Sequence, residues 1–293
     1  MNNRLLPKIG FVTSVLVLLA LGEAQVALGQ GLNFTTIDVP GAGLTAGQGI
    51  NASRDMVGFY TADAAGLPPS HGYLFAKGAF LTIDVPGAMD TTCRGINSSG
   101  SIVGEYDLDG ITSHGYLRSG NSFTTIDFPG AANTNPNAID SSGDIVGFWD
   151  DTVNLHGFLR DKHGVFTAIN YPGATDTQAY GISDKGDIVG LYYDSVGSQH
   201  GFLLSKQGTF STIEPPGALQ SQARGINSRD DIVGIFLQVD IHGFLFSGGT
   251  FTVIDVPGAA IDGTRPRGIN ARGDISGNYD DSSGNTHGFL ATN

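Results

Sequence analysis

The sequence contains very little cysteine and comparatively little positive charge. Cys93 is the only cysteine among 293 residues, so an intrachain disulfide is excluded and packing alone must stabilise the fold. Lysine and arginine number 15 against 28 aspartates and glutamates, and the formal net charge is −13. A chain this acidic repels phosphate backbones and offers no basic stripe, which argues against a nucleic-acid partner.

Only one long apolar run is present, and it lies near the N-terminus. Two positive charges, Arg4 and Lys8, precede a largely apolar stretch over residues 9–22. After it, Ala27-Leu28-Gly29 supplies the small residues that a signal peptidase recognises. That stretch would span about 21 Å as a helix, short of the roughly 30 Å of a bilayer core. We therefore predict a signal peptide at residues 1–29, secretion to the extracellular space or the periplasm, and no integral membrane span in the mature chain.

Glycine is abundant, and much of it recurs at fixed positions of a repeated unit. The unit occurs six times. Its second copy reads R-G-I-N-S-S-G-S-I-V-G-E-Y from Arg94, H-G-Y-L from His114 and F-T-T-I-D-F-P-G-A over residues 123–131. A period of forty-odd residues is the size of one four-stranded propeller blade. Adjacent apolar residues such as Ile102 and Val103 point to opposite faces of a strand, which predicts a sheet packed on both sides.

The two ends of the chain carry complementary parts of this unit. Residues 34–39 repeat only its fourth strand, and residues 287–290 repeat its third strand without a fourth. Pairing them completes a sixth blade and removes the sheet edge that an open array would expose. We therefore predict an all-β fold in which residues 30–293 form one six-bladed β-propeller of four-stranded blades, acting as a monomer.

The repeated elements together are similar to a known family. The H-G-F-L, I-D-x-P-G-A, G-I-N and I-V-G elements resemble the HAF-type extracellular repeat proteins of bacteria over residues 33–290. The resemblance implies an exported repeat protein and leaves its chemistry undefined.

The segment after G-I-N predicts a type I turn with glycine in its fourth position, where a left-handed backbone is favourable for glycine. Arg54 and Asp230 stand at that position in two copies. We expect those two hairpins to be strained or of another turn type.

One histidine opens the third strand of every unit. A ring of metal ligands is one interpretation, but a residue present in every blade is more simply structural. We interpret these residues as structural histidines whose partner is the aspartate of I-D-x-P-G, namely Asp38, Asp84, Asp127 or Asp255, with Asn170 and Glu214 as replacements. The histidines are His71, His114, His156, His200, His242 and His287.

Two further repeated features have structural and functional interpretations. The Asp-rich inserts, such as Asp107-Leu108-Asp109, supply too few oxygen ligands for an autonomous calcium site. No cofactor is predicted, with calcium or another divalent cation as the alternative. The aromatic residue after I-V-G-x recurs at a fixed strand position, which indicates packing in the core between blades rather than stacking on a sugar. Trp149 is the best candidate among these residues for a binding role.

The residue before G-I-N differs from copy to copy, and it should lie at the rim of the central channel, where propeller ligands often bind. Three of the six residues are arginines, which require either the protein's own carboxylates or an anionic ligand. Glu105 and Asn278 could contribute nearby polar groups. The predicted ligand-binding positions are Gln48, Arg94, Asn137, Tyr180, Arg224 and Arg267.

Two classes of function follow from these features. The first is a non-catalytic binding module that holds a carbohydrate, a small acidic ligand or a protein through one face of the channel. The alternative is a propeller hydrolase or lyase, with or without the assistance of a metal ion, acting on an anionic small molecule or sugar. No G-x-S-x-G or H-E-x-x-H motif is present, so no catalytic residue is assigned and the first class is favoured.

Overall fold

The computed structural model describes residues 27–28 and 31–293, and all of its regular elements are β-strands. The predicted signal peptide at residues 1–29 falls almost entirely outside this part of the chain. Among the described residues, no helix has the length and apolar character needed to cross a membrane.

Six sheets follow one another along the chain, each built on four antiparallel strands, and in each the G-I-N segment or its equivalent (A-I-D in blade 3, G-I-S in blade 4) ends the innermost strand. Before the first blade come β1 (Ala27–Leu28) and β2 (Asn33–Ile37). Blades 1 to 3 contain β3 (Leu44–Ile50), β4 (Met56–Thr61), β5 (Ser70–Ala76) and β6 (Ala79–Ile83); β7 (Asp90–Ile96), β8 (Ile102–Asp107), β9 (Ser113–Ser119) and β10 (Ser122–Ile126); and β11 (Asn133–Ile139), β12 (Ile145–Asp150), β13 (Leu155–Arg160) and β14 (Phe166–Ile169). Blades 4 to 6 contain β15 (Asp176–Ile182), β16 (Ile188–Tyr193), β17 (Gln199–Leu204) and β18 (Phe210–Ile213); β19 (Gln220–Ile226), β20 (Ile232–Leu237), β21 (Ile241–Ser247) and β22 (Thr250–Ile254); and β23 (Ala259–Ile269), β24 (Ile275–Asp281) and β25 (Thr286–Thr292).

The N-terminal strand completes the last blade. β2 pairs antiparallel with β25, with Phe34 opposite Ala291 and Ile37 opposite Gly288, and it becomes the outer strand of blade 6. Blade 6 in turn packs its β24 and β25 against β3 of blade 1. The predicted six-bladed propeller, closed by its N-terminal strand, is confirmed.

The core lies between the blades, because both faces of every sheet are covered. Ile102 and Val103 are both fully buried although they point to opposite faces of β8. The aromatic residue of each H-G-[FY]-L element is also fully buried and lies over the glycine of I-V-G. A Cβ on Gly104 would lie 1.9 Å from the carbonyl oxygen of Thr92 on the paired strand and 3.0 Å from the Tyr116 ring, so the close approach of the neighbouring backbone and of the aromatic side chain requires glycine here.

The strand connections divide the molecule into two faces. The insert face carries the connections between the second and third strands of each blade and the crossovers between blades. The turn face carries the two tight turns of each blade, one after G-I-N and one before the outer strand.

The asparagine of G-I-N has two tasks on the turn face. The Oδ1 atom of Asn227 accepts hydrogen bonds from the backbone of Arg229 and Asp231, which closes the turn, while its Nδ2 atom donates to the carbonyl of Asn270 in the next blade at 3.0 Å. Equivalent links from Asn270 to Asn51, from Asn51 to Asn97 and from Asn97 to Asp140 join blades 6, 1, 2 and 3. We call these contacts the asparagine links.

The two turns without glycine keep the same hydrogen bond as the others. Arg54 and Asp230 donate their backbone N–H groups to Asn51 and Asn227 at 3.1 Å, with φ values of 67° and 68°. Both non-glycine residues therefore adopt the left-handed backbone that was expected to cause strain, while the hydrogen bond that closes the turn is unchanged. Both side chains form ion pairs with neighbouring blades, Arg54 with Asp274 and Asp230 with Lys185.

Ring closure also places a charged pair across the two ends of the described chain. His287 on β25 contacts Asp38, which follows β2, at 2.8 Å. Partial burial favours the neutral imidazole, but the hydrogen bonds and charges of Asp38 and then Asp281 outweigh it, so the pKa of His287 is raised above its ordinary 6.5. The protonated imidazole of His287 therefore stabilises the closed propeller.

We predict that the asparagine links can be weakened and strengthened by exchanging residues between blades. Asn227→Ser removes the donor to blade 6 and should lower the free energy of unfolding by about 1–3 kcal/mol. Ser183, the equivalent residue of blade 4, lacks such a donor, so Ser183→Asn should add about 0.5–1.5 kcal/mol by reaching the carbonyl of Asn227. Urea unfolding measures both changes, and equal stabilities of the two variants would contradict the role of these links.

We predict that part of the stability conferred by His287 depends on pH. Because the folded pKa is raised, the stabilisation is complete below the unfolded value near 6.5 and is lost as the pH rises through the folded value. The difference in unfolding free energy between wild type and His287→Gln should be larger at about pH 5.5 than at about pH 8.5. Asp38→Asn should reduce the pH dependence of stability, because Asp281 is then the remaining carboxylate beside His287, whereas His163→Gln on the turn face serves as the control. A difference that stays constant with pH would disprove the assignment.

Candidate functional site

The inner strands surround a channel along the axis of the propeller. A cavity of about 110 Å³ inside the channel is lined by the three residues x-G-I, or their equivalents, of every blade. Nearer the turn face, the channel is lined by the isoleucine and asparagine of G-I-N, or their equivalents, and by the residue after them. All six variable positions predicted from the repeat therefore come together in one layer of the channel. This layer, the channel belt, consists of Gln48, Arg94, Asn137, Tyr180, Arg224 and Arg267.

Within the residues that the structure describes, only one of the three belt arginines has a carboxylate partner. Arg94 forms an ion pair with Glu105 of the same blade at 2.5 Å, and Thr92 donates to the same carboxylate oxygen at 3.1 Å. Among the described residues, no salt bridge involves Arg224 or Arg267. The belt therefore holds more positive charge than the surrounding side chains neutralise.

The two unpaired guanidinium groups make weaker contacts. Arg224 lies over the Tyr180 ring, 3.9 Å from its centre, and donates to the side-chain oxygen of Gln222. Arg267 Nε is 3.5 Å from Asn278 Oδ1. A cation–π contact and amide oxygens offset part of the desolvation of a guanidinium group but supply no countercharge.

The charges in the belt also act on one another. Burial, and then the charges of Arg224 and Arg94, lower the pKa of Arg267 well below its ordinary value. Burial lowers the pKa of Arg94 as well, but Glu105 outweighs it and the net shift is upward. The buried Nε atoms of Arg94 and Arg224 have no hydrogen-bond partner among residues 31–293. Crowded positive charge and unsatisfied donors together favour an anion in the channel.

The remaining belt members are polar and differ in how they are held. Asn137 donates to the carbonyl of Ala179 at 2.9 Å, and Tyr180 donates to Gln178. Gln48 is 7% exposed, and the hydrogen bonds among described residues involve its backbone carbonyl but not its side-chain amide. A buried amide of this kind has both a donor and an acceptor available to a ligand.

Charge outside the channel is divided between the two faces. Within residues 31–293 the insert face carries a single basic residue, Arg265, which is paired with Asp280, and it carries many carboxylates. Its acidic residues are Asp38, Asp63, Asp84, Asp90, Asp107, Asp109, Asp127, Asp150, Asp151, Asp176, Asp194, Glu214, Asp240, Asp255, Asp262, Asp280 and Asp281. Apart from Arg265 and the three belt arginines, the basic residues lie on the turn face and are Arg54, Lys77, Arg118, Arg160, Lys162, Lys185, Lys206, Arg229 and Arg272. The belt is therefore a positive centre within an acidic face.

A second, larger cavity of about 340 Å³ extends from the belt toward the insert face between blades 1 and 6. It shares Gln48, Arg94 and Arg267 with the channel. Its blade 1 wall is apolar and its blade 6 wall is polar. The remaining lining residues are Leu44, Ala46, Phe59, Arg265, Asn278, Asp280 and Thr286. We call this cavity the sector pocket.

Sequence reasoning identified the belt and Asn278 but missed most of the sector pocket. The sequence does indicate this pocket at Ala46, because the other five copies of the repeat have a larger residue at the equivalent position. Those equivalents are Thr92, Asn135, Gln178, Gln222 and Arg265. Glu105, the other predicted polar neighbour, contacts Arg94 directly.

The six repeated histidines lie near the insert face, away from the channel belt, and each contacts its own blade. Four Nδ1 atoms contact the aspartate of I-D-x-P-G at 2.8–3.0 Å, His156 contacts Asn170 at 2.9 Å and His200 contacts Glu214 at 3.4 Å. Each ring also lies beside the aromatic residue after I-V-G-x, as Tyr60 does beside His71. The histidines therefore do not converge on a common centre.

The aspartates of the inserts bind their own loops. Asp151 accepts hydrogen bonds from the backbone of Asn154 and Val153, which lower its pKa to about 2. Asp281 is held near 2 in the same way, first by Asn285. Among the described residues, no group of three or more histidine, cysteine, aspartate or glutamate side chains is arranged to hold a metal ion. The alternative of a bound divalent cation stays a prediction.

Trp149 has no free face for stacking against a sugar. The indole is stacked on Phe128 at 4.2 Å on one side and on His156 at 4.7 Å on the other. Phe128 belongs to the crossover from blade 2, so Trp149 contributes to packing between blades.

No family model and no curated protein sequence matches this chain. Several solved structures are similar to it. A putative gluconolactonase shares 12% identity at a TM-score of 0.53, over 90% of this chain and 93% of that one. A lectin of Aleuria aurantia, solved with Fucα1-6GlcNAc, shares 12% identity at a TM-score of 0.52, over 87% and 93% of the two chains. A catalytically inactive virginiamycin B lyase from Staphylococcus aureus, solved with quinupristin, shares 12% identity at a TM-score of 0.51, over 90% and 100%. At these identities the likeness shows a β-propeller fold, and the resemblance to HAF-type repeats stays a prediction.

Proposed function

We propose that this protein is an exported, non-catalytic binding module that holds a small anionic ligand at the channel belt. The observation that carries the proposal is the convergence of Arg94, Arg224 and Arg267, for which Glu105 is the only carboxylate partner within the described part of the chain. Guanidinium groups bind carboxylate and phosphate groups with paired, charge-assisted hydrogen bonds. An anion bound here would neutralise the excess charge and use the unsatisfied donors of Arg94 and Arg224.

The similar structures are compatible with this proposal without deciding it. One is a lectin solved with a disaccharide and another is a putative gluconolactonase, so propellers of this general shape serve both binding and catalysis. A binding function is favoured for this chain because the belt combines buried arginines with amides and a tyrosine. None of these groups forms the pair of nucleophile and general base that hydrolysis by covalent catalysis needs.

We predict that Arg267 lowers the stability of the free protein while it supports ligand binding. Since burial and the neighbouring arginines depress its pKa, removal of its charge should relieve repulsion in the folded state. Arg267→Gln should therefore melt at a higher temperature than wild type without ligand. The same variant should lose most of the rise in melting temperature produced by D-galacturonate or inorganic phosphate. For wild type, that rise corresponds to about 2.7 kcal/mol at a ligand concentration one hundredfold above Kd.

A charge-matched control separates local from general effects. Arg272→Gln removes the same charge from a turn-face loop and should leave the ligand-induced shift unchanged. Neutral D-galactose should give no shift with any variant. The proposal is wrong if no anion raises the melting temperature of wild type, or if Arg267→Gln and Arg272→Gln respond to anions equally.

A further inference from the structure

We infer that the ligand class is a cyclic polyhydroxy carboxylate, such as a uronic acid, seated in the sector pocket between blades 1 and 6. This inference rests on the proposed function, because it assigns the carboxylate to the channel belt. It adds which sector of the six-fold ring is occupied and which part of the ligand each wall contacts. The sector pocket, at about 340 Å³, lies within the range of about 300–1,000 Å³ typical of small-molecule sites.

The floor of the sector pocket provides the contacts for the carboxylate. Arg94 and Arg267 line both the pocket and the channel. Gln48 lies between them in the lining, is more than nine-tenths buried, and has no side-chain hydrogen bond among the described residues. Two guanidinium groups and a free amide supply the charge and directional donors that a carboxylate requires.

The two walls differ in chemistry in a way that suits a sugar ring. Leu44, Ala46 and Phe59 of blade 1 present apolar surface, against which the C–H face of a pyranose packs. On blade 6, Arg265 and Thr286 both donate to the carboxylate of Asp280, at 2.7 and 2.6 Å. A carboxylate held in this way keeps lone pairs for ligand hydroxyl groups. A simple anion such as acetate would leave both walls unused.

The acidic insert face supports the same class of ligand. A ligand enters the sector pocket from a face that carries many carboxylates and one arginine, Arg265, so the net negative charge of that face disfavours a bare anion. The Asp280 carboxylate in the pocket wall accepts hydrogen bonds from hydroxyl groups. Several hydroxyl groups on one face of the ligand would offset the desolvation of those carboxylates. A polyhydroxy carboxylate meets both requirements, because its charge and its hydroxyl groups are on different parts of one ring.

The pocket exists in this sector because residue 46 is alanine. The equivalent residues of blades 4 and 5, Gln178 and Gln222, are long and contact neighbouring side chains at the same depth. Ala46 is 4% exposed, at the edge of the cavity. A glutamine at position 46 would extend into the space between the two walls, so Ala46 is a specificity-determining residue for ring-bearing ligands.

Ala46→Gln and Ala46→Thr, which copy blades 5 and 2, test this inference, with Gln178→Ala in the opposite blade as the matched control. Calorimetry with D-galacturonate should show a loss of affinity of about tenfold or more for Ala46→Gln and a smaller loss for Ala46→Thr. Gln178→Ala should bind like wild type. The shift in melting temperature caused by inorganic phosphate should persist in both Ala46 variants, which also shows that they are folded.

The outcomes separate this inference from the proposed function. If Ala46→Gln binds D-galacturonate as wild type does, or if wild type prefers acetate to D-galacturonate, the sector pocket is not the site and the inference is overturned while anion binding stands. If wild type binds neither D-galacturonate nor phosphate, the proposed function itself fails. Tight binding of D-galactose by wild type would overturn the assignment of the carboxylate to the arginines.

Discussion

Pairing of β2 with β25 is the constraint on which the rest of the molecule depends. Because this pairing closes the ring, the six inner strands must surround one axis, and equivalent residues from every blade meet in a common layer. Arg94, Arg224 and Arg267 are brought together for this reason and not by mutual attraction. Packing and hydrogen bonding between the blades oppose the repulsion of these charges, so the closed fold maintains an unfavourable electrostatic arrangement that a ligand can relieve.

Comparison of the six copies shows that residues in contact with one another are substituted together. In most blades a threonine of the inner strand accepts a hydrogen bond from a backbone N–H in the crossover that leads to that strand. Thr91, for example, accepts from the N–H of Val85, two residues before the crossover glycine, at 3.1 Å. In blade 5 that N–H is missing because the residue is Pro215. The threonine is replaced there by Ser221, which contacts the backbone of Ile213 and Gly201 instead.

The outer strands show a similar coupling. Tyrosines of the second strand contact threonines of the fourth, for example Tyr106 with Thr125 at 2.9 Å. Where the aromatic residue lacks a hydroxyl, as at Trp149, the equivalent position of the fourth strand lacks one as well and is Ala168. The two hydroxyl groups are therefore present or absent together, at a fourth-strand position that is exposed to solvent. The blades therefore share a backbone conformation while their side-chain contacts differ locally, and the same freedom permits an alanine at position 46, where the sector pocket opens.

The repeat by itself determined the number of blades, the strand order, the closure by the N-terminal strand and the membership of the channel belt, because glycine spacing and paired apolar residues depend on local backbone geometry. Only the tertiary structure decided which belt arginine is paired, since Glu105 reaches Arg94 while Arg224 contacts Tyr180. It also decided that Trp149 is covered on both faces and that a pocket opens at Ala46. These outcomes depend on the distances between side chains of different strands and blades, which a one-dimensional pattern does not contain.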